Sequence, residues 1–469
     1  MALVILFILL MCYILIATGQ LTKVNRAAVA MFAGAVGWVL YICYGADFVW
    51  AMHPKEYFNF LGGAQPDAEN VKYFISQHVF LGYVGKGAEI CLFLLATMTI
   101  VEILNNNGCF DFVTEILRTR SSKKMLWVIT IITFIISANL DNLTTTTMML
   151  VIMHKIVANR RQRMVYGSAI VLAANCGGAL TVIGDPIGLV LWNMGAVDAS
   201  NFSTCLAVPC ILSCVLPVWW LGRMLPERVE TQGFALPYRG DDTNLNRWQR
   251  MLMLFVGIGG LWFIPTFHNI TKLSPFLGAL CVLSLLWVVN EIFNRKLMDV
   301  DKMINRRVPR VLQYGVIQMV LFVLGMMLAM GVAVESGLMT NLTSWCDRDI
   351  HNVWILAGLS GLCSSVLDTF ATAISFISLH GIVDMGHLTM SLDADYLQNF
   401  TRNGMYWKIL AYSSAMGGNF LLLGSLSGLA LMKMERIHVG WYFKNAGLMS
   451  VVAWVLGLIV MWAMTAQSW

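Results

Sequence analysis

The chain has 469 residues, of which 58% are apolar and 12% are charged, and its formal net charge is +5 at pH 7. Because a soluble domain carries about 25% charged residues, this composition excludes an ordinary soluble protein and indicates a membrane protein with several spans. The positive charge does not indicate nucleic-acid binding, since Lys and Arg stand in short clusters between apolar segments. Cytoplasmic loops of proteins in a lipid bilayer carry their basic residues in this way.

Cysteine usage and the first apolar run exclude two further classes. The eleven Cys lie mostly inside apolar runs, without CxxC or Cys/His spacing. We interpret them as small core residues and not as disulfides, metal ligands or redox centres, so no cofactor is expected. The run from Ala2 to Ala17 lacks a basic leading segment and an obvious cleavage site, which predicts a retained span.

The apolar segments predict ten membrane-spanning helices, since a helix needs about 20 apolar residues to cross a bilayer. Two further apolar stretches, about 125–156 and 353–379, are interrupted near their middles by polar residues. The ten predicted spans are, in chain order, roughly 2–18, 27–46, 78–104, 164–197, 205–222, 251–268, 274–292, 311–334, 405–434 and 446–464.

Flanking charge predicts that each interrupted stretch enters and leaves the membrane on one side. The first stretch has basic residues before and after it, so both of its ends should be cytoplasmic. The second has few basic neighbours and is followed by acidic residues, so both of its ends should be external. The flanking residues are Arg118, Arg120, Lys123 and Lys124, then Lys155, Arg160, Arg161 and Arg163, and for the second stretch Asp384, Asp393 and Asp395.

The crossings then give a complete topology for a multi-pass protein of the cytoplasmic (inner) membrane. An external N-terminus puts Lys23, Arg26 and the basic segments 223–250 and 295–310 inside, the loop 47–77 outside and the C-terminus outside. The predicted units are 1–222, the cytoplasmic linker 223–250, and 251–469. The predicted fold is an all-α polytopic membrane protein with an inverted repeat, each half having about five spans, one re-entrant helical hairpin and one broken helix.

The two halves share sequence motifs, as an inverted repeat requires. AANCGGALTVIGDPIGL at 173–189 aligns without gaps to the segment that begins at Ser413, and SANLDN at 137 corresponds to SSVLDT at 364. Polar hairpin tips and glycine-broken helices in corresponding positions are typical of transporters with a site near the middle of the bilayer. The matched glycines are Gly177, Gly178, Gly184 and Gly188 in the first half and Gly417, Gly418, Gly424 and Gly428 in the second.

Three carboxylates lie at these breaks, and ionisable residues inside a bilayer are functional candidates. Asp141, Asp185 and Asp368 have no Lys or Arg within the same breaks. Oxygen ligands suit a small hard cation, and burial with mutual repulsion should raise the affinity of these carboxylates for protons, so a metal cation and protons should compete for one site. Each feature also has a purely structural interpretation: a lone Asp in a span can pair with a neighbouring helix, and glycines can mark close helix packing. The neutral oxygen donors are Asn139, Asn142, Thr144, Thr145, Thr369 and Ser425.

The motifs SANLDNLTTT, GGALTVIGD, LDT and AYSSAMGGNFLLLGSLSG resemble those of the NhaD-type sodium/proton antiporters in the ion transporter superfamily. The resemblance covers nearly the whole chain, including the third span GAEICLFLLATMTIVEIL. It implies a homodimeric secondary antiporter, not an enzyme, that exports Na+, often also Li+, in exchange for protons. By this resemblance Asp141, Asp185 and Asp368 with Asn142, Thr144 and Ser425 belong to the ion pathway, and Glu89 and Glu102 support transport.

Two other functions stay open at this stage. The same superfamily contains sodium-coupled symporters of small anions such as dicarboxylates. The resemblance implies that such symporters have neutral Ser, Asn and Thr at their hairpin tips, so the paired Asp residues of this chain count against this function. An intramembrane hydrolase is the second alternative. Neither HExxH nor GxSxG occurs in the chain, and the acidic residues recur as repeat mates and not as a nucleophile with a base.

Overall fold

A computed structural model describes residues 2–117, 119, 121–229, 245–294, 314–384 and 393–466. Within these ranges the chain is helical, and an isolated β-bridge joins Ser121 to Arg228. The all-α fold class expected from the apolar runs is therefore confirmed. Most of the linker 223–250 and the basic segment 295–310 lie outside the described residues, as do Arg118 and Arg120.

The first half contains eight labelled helices, and several of them are apolar throughout because lipid or other helices surround them. The short helices Gly45–Met52 and Pro54–Leu61 lie largely within the predicted loop 47–77, which is therefore partly helical, and its external location stays a prediction. The labelled helices are α1 (Ala2–Ala17), α2 (Arg26–Cys43), α3 (Ala68–Asn106), α4 (Ser122–Ser137), α5 (Asn142–Ile156), α6 (Arg160–Leu180), α7 (Pro186–Asn193) and α8 (Ala199–Leu221).

The second half contains nine labelled helices. One of them, Leu338–Asp349, was not expected from the sequence, because its 12 residues mix polar and apolar side chains. The helices are α9 (Arg247–Thr271), α10 (Pro275–Asn294), α11 (Tyr314–Glu335), α12 (Leu338–Asp349), α13 (Val353–Val366), α14 (Thr369–Ile377), α15 (Met405–Leu421), α16 (Leu426–Glu435) and α17 (Val439–Ala466).

Eight helical segments of the described chain are long and apolar enough to cross a membrane. The prediction of ten spans is therefore too high by this measure, for two reasons. Helix α1 is apolar but has only 16 residues, and the predicted span 164–197 is divided into α6 and α7 by the irregular segment 181–185. Each of the ten predicted segments nevertheless contains a helix, and polytopic membrane character is confirmed.

Helices α4 and α5 form the first interrupted pair, and both outer ends of this pair lie beside the first turns of α6. The hydroxyl of Tyr166 donates to the carbonyl of Ser122, the first residue of α4, over 3.2 Å. The Nη1 group of Arg163 donates to the carbonyls of Val157 and Ala158, just after α5, over 3.2 and 2.7 Å. The chain therefore turns back on itself at the break between the two helices.

Helices α13 and α14 form the second interrupted pair, and here the residues flanking the outer ends touch each other. His380, just after α14, lies with Nε2 at 2.9 Å from Oδ1 of Asp347, in the last turn of α12 before the pair. Burial lowers the pKa of His380 below its usual range, against the opposing effect of Asp347. The imidazole is therefore neutral at pH 7, and the contact is a hydrogen bond more than an ion pair.

Glycines repeat the same close approaches in both halves. A Cβ on Gly177 of α6 would collide with the carbonyl oxygen of Phe134 in α4, and a Cβ on Gly417 of α15 would collide with that of Gly361 in α13. A side chain at either glycine would thus push the helices apart. Likewise Gly184 faces the carbonyl of Ser137 and Gly424 that of Ser364. These pairs are the ones that the internal alignment matches, so the shared motifs have shared packing roles.

The centre of the protein is formed by α6 and α15, which are buried along most of their lengths. They are joined by a hydrogen bond of 2.8 Å from Nδ2 of Asn175 to Oδ1 of Asn419. The breaks that end α6 and α15 therefore lie in the protein interior. Irregular backbone at membrane depth is tolerated in such places, where protein or a cavity surrounds it.

Candidate cation site

Each of the four helix breaks is followed by a short helix whose N-terminus is capped by a predicted site residue. Asp141 caps α5, with Oδ2 at 2.9 Å from the backbone N of Thr144, and Asp185 caps α7, with Oδ1 at 3.0 Å from that of Ile187. In the second half Asp368 caps α14 through Phe370 at 3.0 Å. Ser425 caps α16, and its hydroxyl oxygen lies 3.0 Å from the backbone N of Gly428.

Capping gives these residues a structural role beside any functional one. An Asp or Ser oxygen at this position satisfies a backbone N–H that the helix itself leaves unpaired. The positive end of the helix dipole also stabilises a negative charge there, which explains how Asp141, Asp185 and Asp368 can be buried at all. Because the carboxylates already occupy three of the four helix N-termini, an anionic substrate would meet like charge at those three ends.

The remaining oxygen of each carboxylate has a different environment. Oδ1 of Asp141 is buried and has no hydrogen-bond partner among the described residues. Oδ2 of Asp185 accepts a hydrogen bond from Nδ2 of Asn142 over 3.1 Å. Oδ2 of Asp368 lies 3.2 Å from Nη1 of Arg26. Only the first of these oxygens is buried without compensation, which is costly, and a cation or a proton would supply the compensation.

Arg26 shows that a basic side chain from outside the breaks neutralises one of the three aspartates, Asp368. It begins α2, and its Nη2 also donates to the carbonyl of Leu423, in the break between α15 and α16, over 3.3 Å. Sequence analysis placed Arg26 among the interfacial cytoplasmic residues, because an Arg at the start of an apolar run fits the positive-inside pattern. An Arg inside a membrane protein usually pairs with a carboxylate or a backbone carbonyl. The partners of Arg26 lie more than 300 positions away in the chain, so the sequence around Arg26 does not indicate them.

Uncompensated oxygens accompany Asp141 on α5 and α6. The hydroxyls of Thr145 and Thr146 and Oδ1 of Asn175 are buried and have no partner among the described residues. Sequence analysis missed Thr146 and Asn175; the signal for Asn175 was a lone amide in an otherwise small and apolar stretch. Hydroxyl and amide oxygens are suitable ligands for a hard cation, and the second half has buried hydroxyls without a described partner as well, at Thr372 and Ser427.

The other predicted neutral donors are engaged locally. The hydroxyl of Thr144 donates to Oδ2 of Asp141 over 3.2 Å, and Nδ2 of Asn139 donates to the carbonyl of Ile135 over 2.7 Å. Thr369 uses its backbone N, which donates to the carbonyl of Gly424 over 2.9 Å. Thr144 therefore lies at the first carboxylate, whereas Asn139 bonds to its own helix and Thr369 joins the two breaks of the second half.

The three carboxylates are neighbours but do not form one coordination sphere. Asp185 lies within electrostatic range of both Asp141 and Asp368. Among the residues that the structure describes, however, no three His, Cys, Asp or Glu side chains are close enough to hold one metal ion. In this conformation a small cation would therefore contact fewer than three of these carboxylates directly, and neutral oxygens would have to complete its ligands.

Glu89 of α3 lies away from the breaks. Its Oε2 accepts hydrogen bonds from Nδ2 of Asn193, at the last residue of α7, over 2.8 Å and from the hydroxyl of Ser274 over 3.2 Å. Since Asp185 caps the opposite end of α7, Glu89 and Asp185 hold the two ends of one short helix. Glu102 lies more than three turns further along α3 and is partly buried there. A supporting role for both stays a prediction.

A cavity of about 610 Å³ lies next to the breaks and carries positive charge. Leu143 and Leu426, near the N-termini of α5 and α16, line it, and so does Arg26. The other lining residues are Gly19, Lys23, Val24, Asn25, Ala27, Gln318, Met319, Phe322, Leu429, Ala430 and Lys433. It is therefore a basic cavity beside the breaks, and none of the three aspartates is among its described lining residues.

Comparison with known proteins adds a family and several relatives. Residues 7–398 match the model of the citrate transporter (CitMHS) family. The sodium/proton antiporters 1 and 2 of Arabidopsis thaliana are each 29% identical to this chain, over 79% of it and over 61% and 84% of their own lengths. The Na+/H+ antiporter NhaD of Vibrio parahaemolyticus is 24% identical, over 80% of this chain and 88% of that protein. The match thus spans less than two thirds of the first of these relatives.

Proposed function

The chain belongs to the citrate transporter (CitMHS) family and is a multi-pass membrane transporter, not an enzyme, and we propose that it exchanges Na+ for protons. The proposed direction is export of Na+, with Li+ as a second substrate, across the cytoplasmic (inner) membrane. Relatives named as sodium/proton antiporters in Arabidopsis thaliana and Vibrio parahaemolyticus support this substrate pair.

The observation that carries the proposal is the state of Asp141. One of its oxygens caps α5, and the other is buried without a hydrogen-bond partner among the described residues. A carboxylate in this position is stabilised by binding either a proton or a small cation, and the two cannot bind the same oxygen together. Competition for one site is the requirement for exchange, because each ion leaves as the other enters.

Alternating access would convert this competition into transport. We place the shared ion at the middle of the bilayer, where the four helix breaks meet, with α4–α7 from one half and α13–α16 from the other. The paired outer ends of α4–α5 and of α13–α14 support two re-entrant hairpins. The matched glycine contacts support a repeat, which we infer to be inverted, with units 1–222 and 251–469. Rocking of such repeats around a fixed site exposes it to either side in turn.

Symport of citrate or a dicarboxylate is the second candidate, and the family description and the basic cavity favour it. Lys23, Arg26 and Lys433 line that cavity and could hold an anion. The carboxylates of Asp141, Asp185 and Asp368 at three of the four helix N-termini count against it, because a carboxylate substrate would need those ends free. Exchange of cations therefore fits the buried charges better than anion uptake does.

Assembly and orientation complete the proposal. We infer a homodimer, as the family resemblance implies, in a lipid bilayer with both termini external. Transported Na+ and protons are the only ions that the proposed cycle requires, and no cofactor enters it.

Purified protein in proteoliposomes that contain a pH-sensitive dye and no internal Na+ distinguishes the candidates. Addition of external Na+ should drive Na+ inward and protons outward, so the lumen should become alkaline, and labelled Na+ should accumulate. Addition of K+ is the control and should change nothing. Accumulation of labelled citrate that depends on Na+, without any Na+-driven proton movement, would overturn the proposal in favour of symport.

A further inference from the structure

Arg26 reaches both breaks of the second half from outside that half. Its guanidinium lies 3.2 Å from Oδ2 of Asp368 and donates to the carbonyl of Leu423 over 3.3 Å. The side chains of Arg26 and Asp368 are 12% and 2% exposed, so water screens this pair weakly. The two residues lie 342 positions apart in the chain, and the guanidinium neutralises the carboxylate of Asp368.

We propose that Arg26 is a tethered cation that occupies Asp368 whenever no transported cation is bound there, so that Na+ must displace it. This inference rests on the proposed function, because it assumes that Na+ reaches Asp368 during the cycle. Arg26 is in this sense an affinity-determining residue: its guanidinium and Na+ are alternative partners for one carboxylate oxygen. An arginine side chain carries a positive charge, so Arg26 competes with Na+ as a cation.

The cavity beside Arg26 gives the displaced guanidinium a place to go. Arg26 itself lines that cavity of about 610 Å³, together with the polar Asn25 and Gln318. Lys23 and Lys433 also line it, and no acidic side chain is among its described lining residues. A guanidinium that swings into the cavity therefore finds room but also two like charges. Their repulsion favours its return to Asp368 once the cation has left.

The two halves differ in this respect, although their aspartates are repeat mates. Asp141 corresponds to Asp368 in the internal alignment, caps its helix in the same way, and has one oxygen without a partner. Since no described basic side chain competes at Asp141, a cation should bind there first. Coordination of the same cation by Asp368 requires the additional step of displacing Arg26, and the free energy of that step lowers the overall affinity for Na+.

A purely structural role for Arg26 would have the opposite consequence. If the guanidinium only clamps Asp368 to the carbonyl of Leu423, its removal would loosen the two breaks of the second half. A loosened site holds its ligands less well, so affinity for Na+ would fall. If Arg26 competes, removal increases affinity. When a competitor covers the site in about nine of ten ion-free molecules, apparent affinity is about tenfold below the intrinsic value.

The test compares wild type, R26Q and K23Q by titration of the purified full-length proteins with labelled Na+. R26Q should bind Na+ about tenfold more tightly, and its maximum rate of exchange in proteoliposomes should fall because Na+ leaves more slowly. K23Q is the matched control: it removes one positive charge from the same cavity without removing a contact to Asp368. Lys23 is exposed, so its repulsion of the displaced guanidinium is screened by water, and its removal should tighten Na+ binding by no more than about twofold.

Each other outcome counts against a defined statement. If wild type binds no Na+, the proposed function and this inference both fail. If wild type binds Na+ and R26Q binds it equally or more weakly, only the inference fails. If R26Q and K23Q bind Na+ more tightly than wild type by the same factor, the inference is also overturned, because the loss of any positive charge from the cavity would then explain both results. Should R26Q not fold, R26K decides: a lysine is a weaker, single-point competitor, so tighter binding supports the inference and weaker binding overturns it.

Discussion

The side-chain amide of Asn142 donates a hydrogen bond to Oδ2 of Asp185 over 3.1 Å. Because Oδ1 of Asp185 caps α7, both oxygens of this carboxylate are engaged, and the tip between α4 and α5 is tied to the break between α6 and α7. Thr369, the repeat mate of Asn142, ties the corresponding breaks through its backbone N and the carbonyl of Gly424. The two breaks of the first half are thus connected by a side-chain hydrogen bond, whereas the two breaks of the second half are connected by a backbone hydrogen bond.

Removal of the Asn142 amide should therefore weaken the site without unfolding the protein. A hydrogen bond to a charged group contributes about 1.5–3 kcal/mol, so N142A should raise the apparent KM for Na+ by roughly ten- to a hundredfold. Na+-driven alkalinisation of proteoliposomes at a series of Na+ concentrations measures this. N139A is the matched control, since that amide donates to Ile135 in its own helix, and a loss as large as that of N142A would contradict the assignment.

The two roles of Asp141 can be separated by two substitutions. Asn caps a helix about as well as Asp, so D141N should fold normally, keep its melting temperature and lose Na+/H+ exchange. D141A removes the cap as well and should lower the free energy of unfolding by a further ~0.5–2 kcal/mol. Exchange in proteoliposomes and thermal unfolding in detergent are the two measurements.

D349N provides the charge control for this pair, because Asp349 is exposed and forms an ion pair with its exposed neighbour Arg348. It should leave both exchange and melting temperature unchanged. The same reasoning applies to D368N, whose carboxylate is also a cap. Normal exchange in a well-folded D141N or D368N protein would remove the carboxylates from the ion pathway.

Close backbone contact at the repeated glycines predicts a stability effect. G417A places a Cβ against the carbonyl oxygen of Gly361, so α13 and α15 must move apart, which typically costs about 1–3 kcal/mol. The melting temperature measured by size-exclusion chromatography after heating should fall. G440A is the control, since a Cβ there meets nothing within 4 Å. Equal melting temperatures of the two variants would show that the glycine contact is not required.

Much of this site could be predicted from the sequence because the signals are local. Asp141, Asp185, Asp368 and Ser425 each stand where an apolar helix is interrupted and a new helix begins, and a residue with a side-chain oxygen at that point is also the residue that caps. The glycines beside them repeat at identical spacing. Local pattern therefore identified the breaks and the side chains at them.

The parts that were missed depend on contacts between distant segments. Arg26 meets Asp368 only when α2 packs near the second half, and nothing near Arg26 in the chain distinguishes it from an interfacial cation. Asn175 and Asn419 were inside the aligned motif, but their mutual hydrogen bond joins the two halves and has no local signature. Helices in the segment 47–77 were missed because they are too short to show a clear apolar period.

Opposite orientation of the two hairpins can be tested by labelling from outside intact cells. In a variant without the eleven native Cys, D349C and D384C flank the second hairpin and should react with an impermeant thiol reagent. K124C and A158C flank the first and should react only after the membrane is permeabilised. All four positions are exposed on the protein. If the two flanks of either pair of helices react from opposite sides, that pair is an ordinary crossing and the inverted repeat is wrong.

Competition between Na+ and protons for the same carboxylates is tested most directly by measuring exchange in proteoliposomes over a range of pH and Na+ concentration. An unperturbed Asp titrates near pH 4, but burial and like charges raise the proton affinity of such a group. Apparent Na+ affinity should therefore improve with rising pH, by up to about tenfold per unit when one proton is displaced, and level off at neutral to alkaline pH. Saturating Na+ should restore the full rate at acid pH. A maximum rate that falls on acidification at saturating Na+, with constant apparent affinity, would mean that protons act elsewhere and would contradict the shared site.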